Sequence, residues 1–235
     1  MVSDFLKQAL AEMNIDISKE SYEKFEKYYA LLIEWNEKMN LTAITEPQQV
    51  AVKHFADSLT ILKYLEIEKN AKVIDIGTGA GFPGIPLKIV RDDLDLTLLD
   101  SLNKRLVFLQ NVCDKLNITA RTIHSRAEEA SRNKNDREVY DYAFSRAVAQ
   151  LNLLCELCLP YVKKGGFFAA MKGPDAQSEI ANAENAVELL GGKIKEIKEF
   201  SLPDNSGRTL VIIEKIKPTP EKYPRHGSKI KSKPL

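Results

Sequence analysis

The sequence is poor in the features that mark membrane-spanning or secreted proteins. It contains no uninterrupted apolar run of the roughly 18 residues that a membrane-spanning helix requires. Its first seven residues lack a basic region followed by an apolar one. Three cysteines in 235 residues cannot all pair, and a chain of this length does not need disulfides. We therefore expect a cytoplasmic protein that does not act at a membrane.

Metal-ligating residues are also scarce. Cys155 and Cys158 have a spacing that would suit half of a zinc site, but no second Cys pair or His pair accompanies them. We interpret these two thiols, together with Cys113, as buried structural side chains. The sequence therefore predicts no metal site.

The net charge is small, at +1, although 29% of the residues are charged, and the charge is unevenly distributed. Residues 1–60 carry a net charge of −4, whereas residues 217–235 contain six Lys or Arg side chains and one acid. Because prolines are frequent in this tail, we interpret it as an extended basic arm that gains order on binding a polyanion. A solubilising disordered end is the alternative. Either interpretation makes cofactor binding independent of the tail.

A glycine-rich turn is the most informative motif. Gly77, Gly79 and Gly81 follow a short apolar run, and glycine permits both positive φ and close approach of a ligand to the backbone. With Gly84 the turn also fits the dinucleotide fingerprint, so NAD and S-adenosylmethionine must be compared. Asp75 would repel a pyrophosphate and attract the cationic methionyl end of S-adenosylmethionine. The alternative is an ordinary tight turn that binds no ligand.

The hydrophobic pattern predicts three parts. Residues 1–65 have apolar side chains at helical spacing, with Ser18 and Thr45 as expected helix caps. In residues 66–216 short apolar runs alternate with helical stretches, which indicates an α/β fold with a Rossmann-like parallel sheet. Residues 217–235 form the basic arm. The seven candidate strands are residues 72–76, 95–100, 119–123, 140–145, 165–171, 193–200 and 208–215.

Polar residues follow several of these strands where each one ends. Asp100 and Ser101 follow the second strand, at the distance where a ribose-binding carboxylate is expected. Both cofactors contain ribose, so this acid does not choose between them. Ligands of open α/β sheets bind at the carboxyl ends of the strands, which places Asp75, Asp100 and Arg146 at one rim. Seven strands that end in an antiparallel pair favour a methyltransferase sheet over a dehydrogenase.

Longer motifs are more specific than the glycine turn. They comprise residues 35–42, 54–59, 75–86, 100–101, 104–105, 108–109, 126–128, 145–147, 171–173 and 223–225. With these motifs the chain resembles, over nearly its whole length, the bacterial small-subunit (16S) ribosomal RNA guanine-N7 methyltransferases, also called glucose-inhibited division protein B. The polar residues 132–137 depart from the resemblance and have no assigned role.

The resemblance implies a methyltransferase domain behind a helical N-terminal extension. It implies S-adenosylmethionine as methyl donor and N7 of one guanine in small-subunit ribosomal RNA as acceptor. The cofactor contacts of the family fall on Gly77, Phe82, Ala127, Glu128 and Arg146. We therefore expect a monomer that acts on ribosomal RNA, either free or in a subunit precursor.

Guanine N7 carries no proton, so methyl transfer to it needs positioning and no general base. We predict that Arg146 acts beyond cofactor binding, because its fork can engage a carboxylate or the O6 and N7 edge of guanine. The alternative is an ion pair with Glu128 or Asp75 that shapes the rim.

The acceptor base is expected in a loop or extruded from its stack, because N7 faces the deep, narrow groove of A-form RNA. Candidate phosphate contacts are Lys53, Lys104, Arg105, Lys172, Arg208 and Arg225. Each of them could equally be a solvated surface charge.

Three other classes of function remain open at this point. A dehydrogenase is disfavoured by Asp75 and by the terminal strand pair. A non-catalytic RNA-binding factor is disfavoured by the intact set of Asp75, Asp100 and Arg146. A methyltransferase acting on a small molecule or a protein is the third, and the basic tail favours RNA over both substrates.

Overall fold

The computed structural model describes residues 1–146 and 149–235. Ala147, which belongs to the 145–147 motif, lies outside the described residues. The helices are α1 (Val2–Glu12), α2 (Lys19–Met39), α3 (Pro47–Val50), α4 (Asp57–Tyr64), α5 (Gly84–Val90), α6 (Asn103–Leu116), α7 (Ala127–Ala130), α8 (Leu151–Cys158), α9 (Gln177–Leu189) and α10 (Gly227–Ser232). No helix in this part of the chain has the length and apolar character that crossing a membrane requires.

The strands build one mixed sheet. In the described residues they are β1 (Lys72–Ile76), β2 (Asp95–Asp100), β3 (Arg121–His124), β4 (Tyr140–Ser145), β5 (Val162–Lys172), β6 (Gly192–Ser201) and β7 (Gly207–Lys215). Their order is β3-β2-β1-β4-β5-β7-β6. Strands β1 to β5 pair with one another in parallel, whereas β7 is antiparallel to both β5 and β6. The predicted α/β class, Rossmann-like sheet and terminal antiparallel pair are confirmed.

Two predicted strand starts are wrong. β3 begins at Arg121, two residues later than expected, and β5 begins at Val162, three residues earlier. The early part of β5 is hard to recognise because its pairing with β4 shifts register between Tyr140 and Tyr142. Gly165, with φ +85°, lies in this irregular part of the strand. Glycine inside a strand is typical of such a bulge.

The two expected helix caps have different outcomes. The hydroxyl oxygen of Ser18 accepts a hydrogen bond from the Ser21 N–H (3.1 Å), which confirms Ser18 as the cap of α2. The Thr45 cap is wrong, because α3 begins at Pro47 with Glu46 in the capping position. Proline suits a first helical turn, where its missing N–H is not needed.

The N-terminal helices pack against the glycine turn. Tyr28 on α2 is fully buried, and its hydroxyl donates to the Ala80 carbonyl inside the turn. The rings of Tyr28 and Phe82 have centroids 5.6 Å apart. One of two apolar core clusters extends from Leu6 in α1 to Ile212 in β7. The division at residue 65 therefore remains a proposal, since the core is continuous across it.

Gly81 offers a test of this packing. A Cβ at Gly81 would lie 2.7 Å from both the Tyr28 hydroxyl and Leu109 Cδ2, whereas at Gly165 no described atom lies within 4 Å. Both glycines have positive φ, so both alanine variants bear the conformational cost of about 1 kcal/mol. We expect Gly81→Ala to lower the free energy of unfolding by about 1–3 kcal/mol more than Gly165→Ala. Urea denaturation measures this difference, and equal losses would contradict it.

The C-terminal residues 217–235 are docked on the domain. Thr219, Tyr223 and Ile230 are buried. The Arg225 guanidinium donates to both carboxylate oxygens of Glu156 on α8, at 2.6 Å to Oε2 and 2.9 Å to Oε1. Glu156 is completely buried, and a buried carboxylate requires such a partner. The expectation of an extended arm is therefore wrong.

The unassigned polar residues 132–137 hold this tail in place. Arg137 donates to the carbonyls of Thr219 (2.8 Å) and Tyr223 (3.1 Å), and Arg132 donates to the carbonyl of Pro224. A proline-rich segment has few N–H groups of its own, so its carbonyls depend on outside donors. The two arginines supply these donors.

Arg225→Ala tests the docking directly. It leaves the buried Glu156 carboxylate without its cation, so we expect the free energy of unfolding to fall by about 3–5 kcal/mol. Lys233→Ala removes the same charge from an exposed tail position and should change stability little. The double variant Arg225→Ala/Glu156→Leu should recover most of the loss. If Arg225→Ala is as stable as the unmodified chain, the tail is the free arm of the sequence prediction.

Candidate active site

Asp75 holds the glycine turn through hydrogen bonds to its side chain. Its side chain is fully buried, and Oδ2 accepts hydrogen bonds from the Thr78 hydroxyl (2.7 Å) and the Gly84 N–H (2.9 Å). Burial raises the pKa of Asp75 to about 6, against the effect of these bonds. Oδ1 has no hydrogen-bond partner within the described residues. The carboxylate thus joins both ends of the turn and keeps one oxygen unused.

The three glycines all have positive φ, as the sequence predicts, but they face different surroundings. Gly77 borders open space, since a Cβ at this position would have no described atom within 4 Å. The Gly79 N–H donates to Asp100 Oδ2 (3.0 Å). The close approach at Gly81 is to Tyr28 and Leu109. Gly77 is therefore the glycine best placed to meet a ligand.

A pocket of about 200 Å³ lies beyond the carboxyl ends of β1 and β2, and we call it the inner pocket. Five of the predicted cofactor contacts line it together: Gly77, Asp100, Ser101, Ala127 and Glu128. The other five predicted contacts do not line it; they are Asp75, Gly79, Gly81, Phe82 and Arg146. Sequence motifs separated by about 50 residues thus converge on one cavity.

Asp100 is held in a defined orientation in this pocket. Its Oδ1 accepts from the Leu102 N–H (2.9 Å), and its Oδ2 accepts from the Arg105 guanidinium (3.2 Å). Arg105, predicted as a phosphate contact, therefore contacts Asp100. Since Oδ1 accepts a single protein hydrogen bond, it keeps a lone pair for a hydroxyl of a ligand.

A second, larger cleft of about 640 Å³ lies on the other side of the β4 terminus, and we call it the outer cleft. Arg146 lines it, together with three of the predicted RNA contacts, Lys53, Lys172 and Arg208. Lys104 is exposed on α6, and Arg225 is the tail residue paired with Glu156. The structure therefore gathers half of the six predicted cations around one cleft.

The Arg146 side chain is fixed by groups from the N-terminal helices. Its Nη1 donates to the Lys53 carbonyl (2.9 Å) and lies 3.4 Å from Asp57 Oδ2, and its Nη2 lies 3.2 Å from His54 Nδ1. The guanidinium carbon lies 4.8 Å from the centroid of the Phe82 ring. The expected alternative partners, Glu128 and Asp75, are thus replaced by Asp57.

Asp57 is the buried anion of the outer cleft. Arg208 Nε donates to its Oδ2 (3.1 Å), so this carboxylate joins Arg146 and Arg208. Burial raises the pKa of Asp57, although both guanidinium groups oppose that shift. Lys172 is held separately, by the Ala149 carbonyl (2.6 Å) and the Glu179 carboxylate (2.7 Å). The positive side chains around the cleft are therefore held in place by defined partners.

His54 is neutral at physiological pH. Burial and the neighbouring Arg146 charge lower the pKa of His54 to about 3. Its ring stacks on Phe82, with centroids 4.6 Å apart, and its Nε2 lies 2.8 Å from the Thr42 hydroxyl. His54 therefore contacts the Arg146 guanidinium as an uncharged ring.

Sequence reasoning did not assign roles to His54 and Asp57, although both lie in a quoted motif. The available signal was the spacing of His54 and Asp57, which lie three residues apart in a helical stretch and therefore on one face of it. Their placement depends on a π-helical turn, Ala51–Ala56, between α3 and α4. π-helical turns are rare overall, although those that occur are often at functional sites. No residue pattern predicts them.

The cysteines lie away from both cavities. Cys155 and Cys158 on α8 and Cys113 on α6 are all buried and unpaired, which confirms the prediction of structural thiols. Within residues 1–146 and 149–235, no three His, Cys, Asp or Glu side chains are grouped as a metal site would require.

The strand order, the antiparallel β7, the glycine turn after β1 and the acid at the end of β2 together define a methyltransferase of the Rossmann-like class. Comparison with known proteins narrows this class. Residues 21–209 match the GidB family, described as rRNA small subunit methyltransferase G. The chain belongs to this family, and the dehydrogenase alternative is wrong.

Two relatives illustrate the extent of the match. Ribosomal RNA small subunit methyltransferase G of Desulforamulus reducens is 54% identical, over 98% of this chain and 97% of the relative. The protein of the same name from Lachnoclostridium phytofermentans is 52% identical, over 97% of this chain and 95% of the relative. Among solved structures, M. jannaschii TYW2 in complex with AdoMet has a TM-score of 0.54 at 13% identity, covering 69% of this chain and 76% of that chain. This last likeness concerns the fold alone.

The state of His54 predicts a pH dependence. The pKa of His54 is about 3 in the folded chain and near its ordinary 6.5 in the unfolded chain. Between these values the unfolded chain binds the extra proton, so His54 makes stability fall as pH decreases from 6.5. We expect His54→Gln to flatten the plot of unfolding free energy against pH, by up to about 1.4 kcal/mol per pH unit. Parallel curves from denaturation between pH 4.5 and 7 would contradict this expectation.

Proposed function

We propose that this chain transfers a methyl group from S-adenosylmethionine to N7 of a guanine in small-subunit (16S) ribosomal RNA. The observation that carries the proposal is the meeting of two cavities at the end of β4, where Ser145 lines the inner pocket and Arg146 the outer cleft. Relatives that match nearly the whole chain are named for this class of activity. The residues assigned to both cavities belong to one chain, and the active unit proposed here is a monomer.

The residues of the inner pocket fit S-adenosylmethionine. Gly77 leaves room beside the backbone, and Asp100 Oδ1 keeps a lone pair for a ribose hydroxyl. Ala127 and Glu128 would border the adenine, and the buried carboxylate of Asp75, two residues before Gly77, would attract the cationic end of the cofactor. When bound, the cofactor supplies an electrophilic methyl group on its sulfonium.

The outer cleft fits an extruded nucleotide of RNA. Lys53, Lys172 and Arg208 place positive charge around it, as the phosphates of an RNA strand require. An unstacked purine would enter this cleft, because N7 within an A-form helix is closed to side chains. The RNA contacts proposed here are therefore these three residues, with Lys104 as a more distant one.

Proton transfer is not required of any protein group. N7 of guanine presents a lone pair, and His54 is neutral and held by its neighbours. We assign Arg146 to positioning the base. Since the N7 lone pair must face the methyl group, the guanidinium would donate to guanine O6 and leave N7 open. Orientation of this kind accounts for several kcal/mol of barrier in well-ordered systems, about 7–11 kcal/mol at most.

Methylation of small-subunit RNA by the purified chain tests the proposal. We expect mass analysis of the digested nucleosides to show 7-methylguanosine when both S-adenosylmethionine and the RNA are present. Arg146→Ala should reduce turnover at saturating cofactor by at least about a hundredfold, since a mispositioned base loses much of the benefit of orientation.

Arg91→Ala is the matched control. Arg91 also forms an ion pair, with Asp93, but it lies just before β2, at the opposite edge of the sheet from the clefts. Its loss should leave turnover unchanged. A methyl group on another atom, or none, would overturn the proposed function, and full turnover by Arg146→Ala would overturn the role of that residue.

A further inference from the structure

The C-terminal helix α10 lies at the inner pocket. Gly227, Ile230 and Lys231 line this cavity together with Asp100 and Glu128. These three residues belong to the tail that the charge pattern assigned to RNA. Only the glycine turn and the strand ends were expected at the cofactor site, so the position of these three tail residues needs a separate explanation.

We propose that α10 is part of the cofactor site, with Ile230 and Lys231 contacting the adenosine of S-adenosylmethionine. The inference rests on the proposed function, because it concerns the same pocket. It adds α10, from the tail residues 217–235, to the residues that enclose the cofactor.

The position of α10 is set by contacts on both of its sides. Before the helix, Arg225 is paired with the buried Glu156 of α8. After the helix, the Asn152 side chain on α8 donates to the Leu235 carbonyl (3.0 Å), and Arg225 Nη1 donates to the Lys233 carbonyl (2.9 Å). The helix is thus fastened to α8 at its beginning and its end.

The contact between the tail and Glu128 is especially close. A Cβ on Gly227 would overlap Glu128 Oε1, so the backbone of the tail lies directly against this carboxylate. Glu128 is one of the residues proposed to border the adenine. The tail therefore limits the conformations that the Glu128 side chain can adopt.

The chemistry of the pocket suits a nucleoside. Ile230 is almost fully buried and shares the cavity with Leu154 and Leu157 of α8, which together provide an apolar surface for a planar base. Asp100 and Glu128 supply acceptors for hydroxyl and amino groups, and Lys231 supplies a donor. Without α10, the apolar surface would be open to water on one side. Affinity for the cofactor should therefore depend on the tail.

Calorimetric titration with S-adenosylhomocysteine tests this inference without RNA and without turnover. We expect truncation after Lys222 to weaken binding by at least about tenfold, equivalent to 1.4 kcal/mol. Ile230→Ala and Lys231→Ala keep the tail in place, and each should weaken binding several-fold. Lys229→Ala is the matched control, because Lys229 is an exposed residue of the same helix that does not line the pocket. Thermal unfolding establishes that each variant is folded.

The outcomes separate the inference from the proposed function. If both point variants bind S-adenosylhomocysteine as tightly as Lys229→Ala and the unmodified chain, α10 is not part of the site. If truncation weakens RNA binding alone, the tail serves the RNA and the inference is likewise overturned. Failure of the unmodified chain to bind S-adenosylhomocysteine would instead overturn the proposed function itself.

Discussion

The buried carboxylate of Asp57 is the group on which the outer cleft depends. It accepts from Arg146 at the end of β4 and from Arg208 at the start of β7, although it lies on a helix near residue 60 of the chain. A buried anion is stable only where cations and donors surround it, so this carboxylate and the two arginines must assemble together. The same assembly keeps His54 neutral, because burial and then the Arg146 charge lower the pKa of its ring. The N-terminal helices are thus part of the site as well as of the core.

The two cavities are both lined by charged groups of either sign, in different proportions. In the inner pocket Asp100 and Glu128 are balanced by the cations Arg105, Arg126 and Lys231, whereas in the outer cleft four cations surround Asp57 and Glu179. The larger excess of positive charge in the outer cleft would attract a polyanion. Arg146 directly follows Ser145, so the chain passes from one cavity to the other in a single residue. This arrangement is what supports transfer between a ligand in one cavity and a ligand in the other.

The basic tail shows what composition leaves undetermined. Six Lys or Arg side chains in residues 217–235 suggest a polyanion as partner, and the five lysines among them are exposed, but Arg225 is paired with Glu156 and several carbonyls of the tail are bound by Arg132 and Arg137. Composition records charge but does not record where a buried partner lies. The polar segment 132–137, which had no assigned role, provides part of the surface on which the tail docks. Only the contacts between the two segments reveal this role.

The sequence by itself determined the α/β class, the terminal antiparallel pair and the conformation of the glycine turn. These features follow from local rules, since alternation of apolar runs and the conformational freedom of glycine are properties of neighbouring residues. It also predicted five residues that line one pocket, because strand ends of a parallel sheet meet at one edge. Tertiary structure alone decided that Asp57, and not Glu128 or Asp75, pairs with Arg146, that Gly81 packs against Tyr28, and that α10 reaches the inner pocket. Each of these contacts joins residues more than 50 positions apart, and their pairing depends on which buried charges and surfaces find complementary partners when the chain folds.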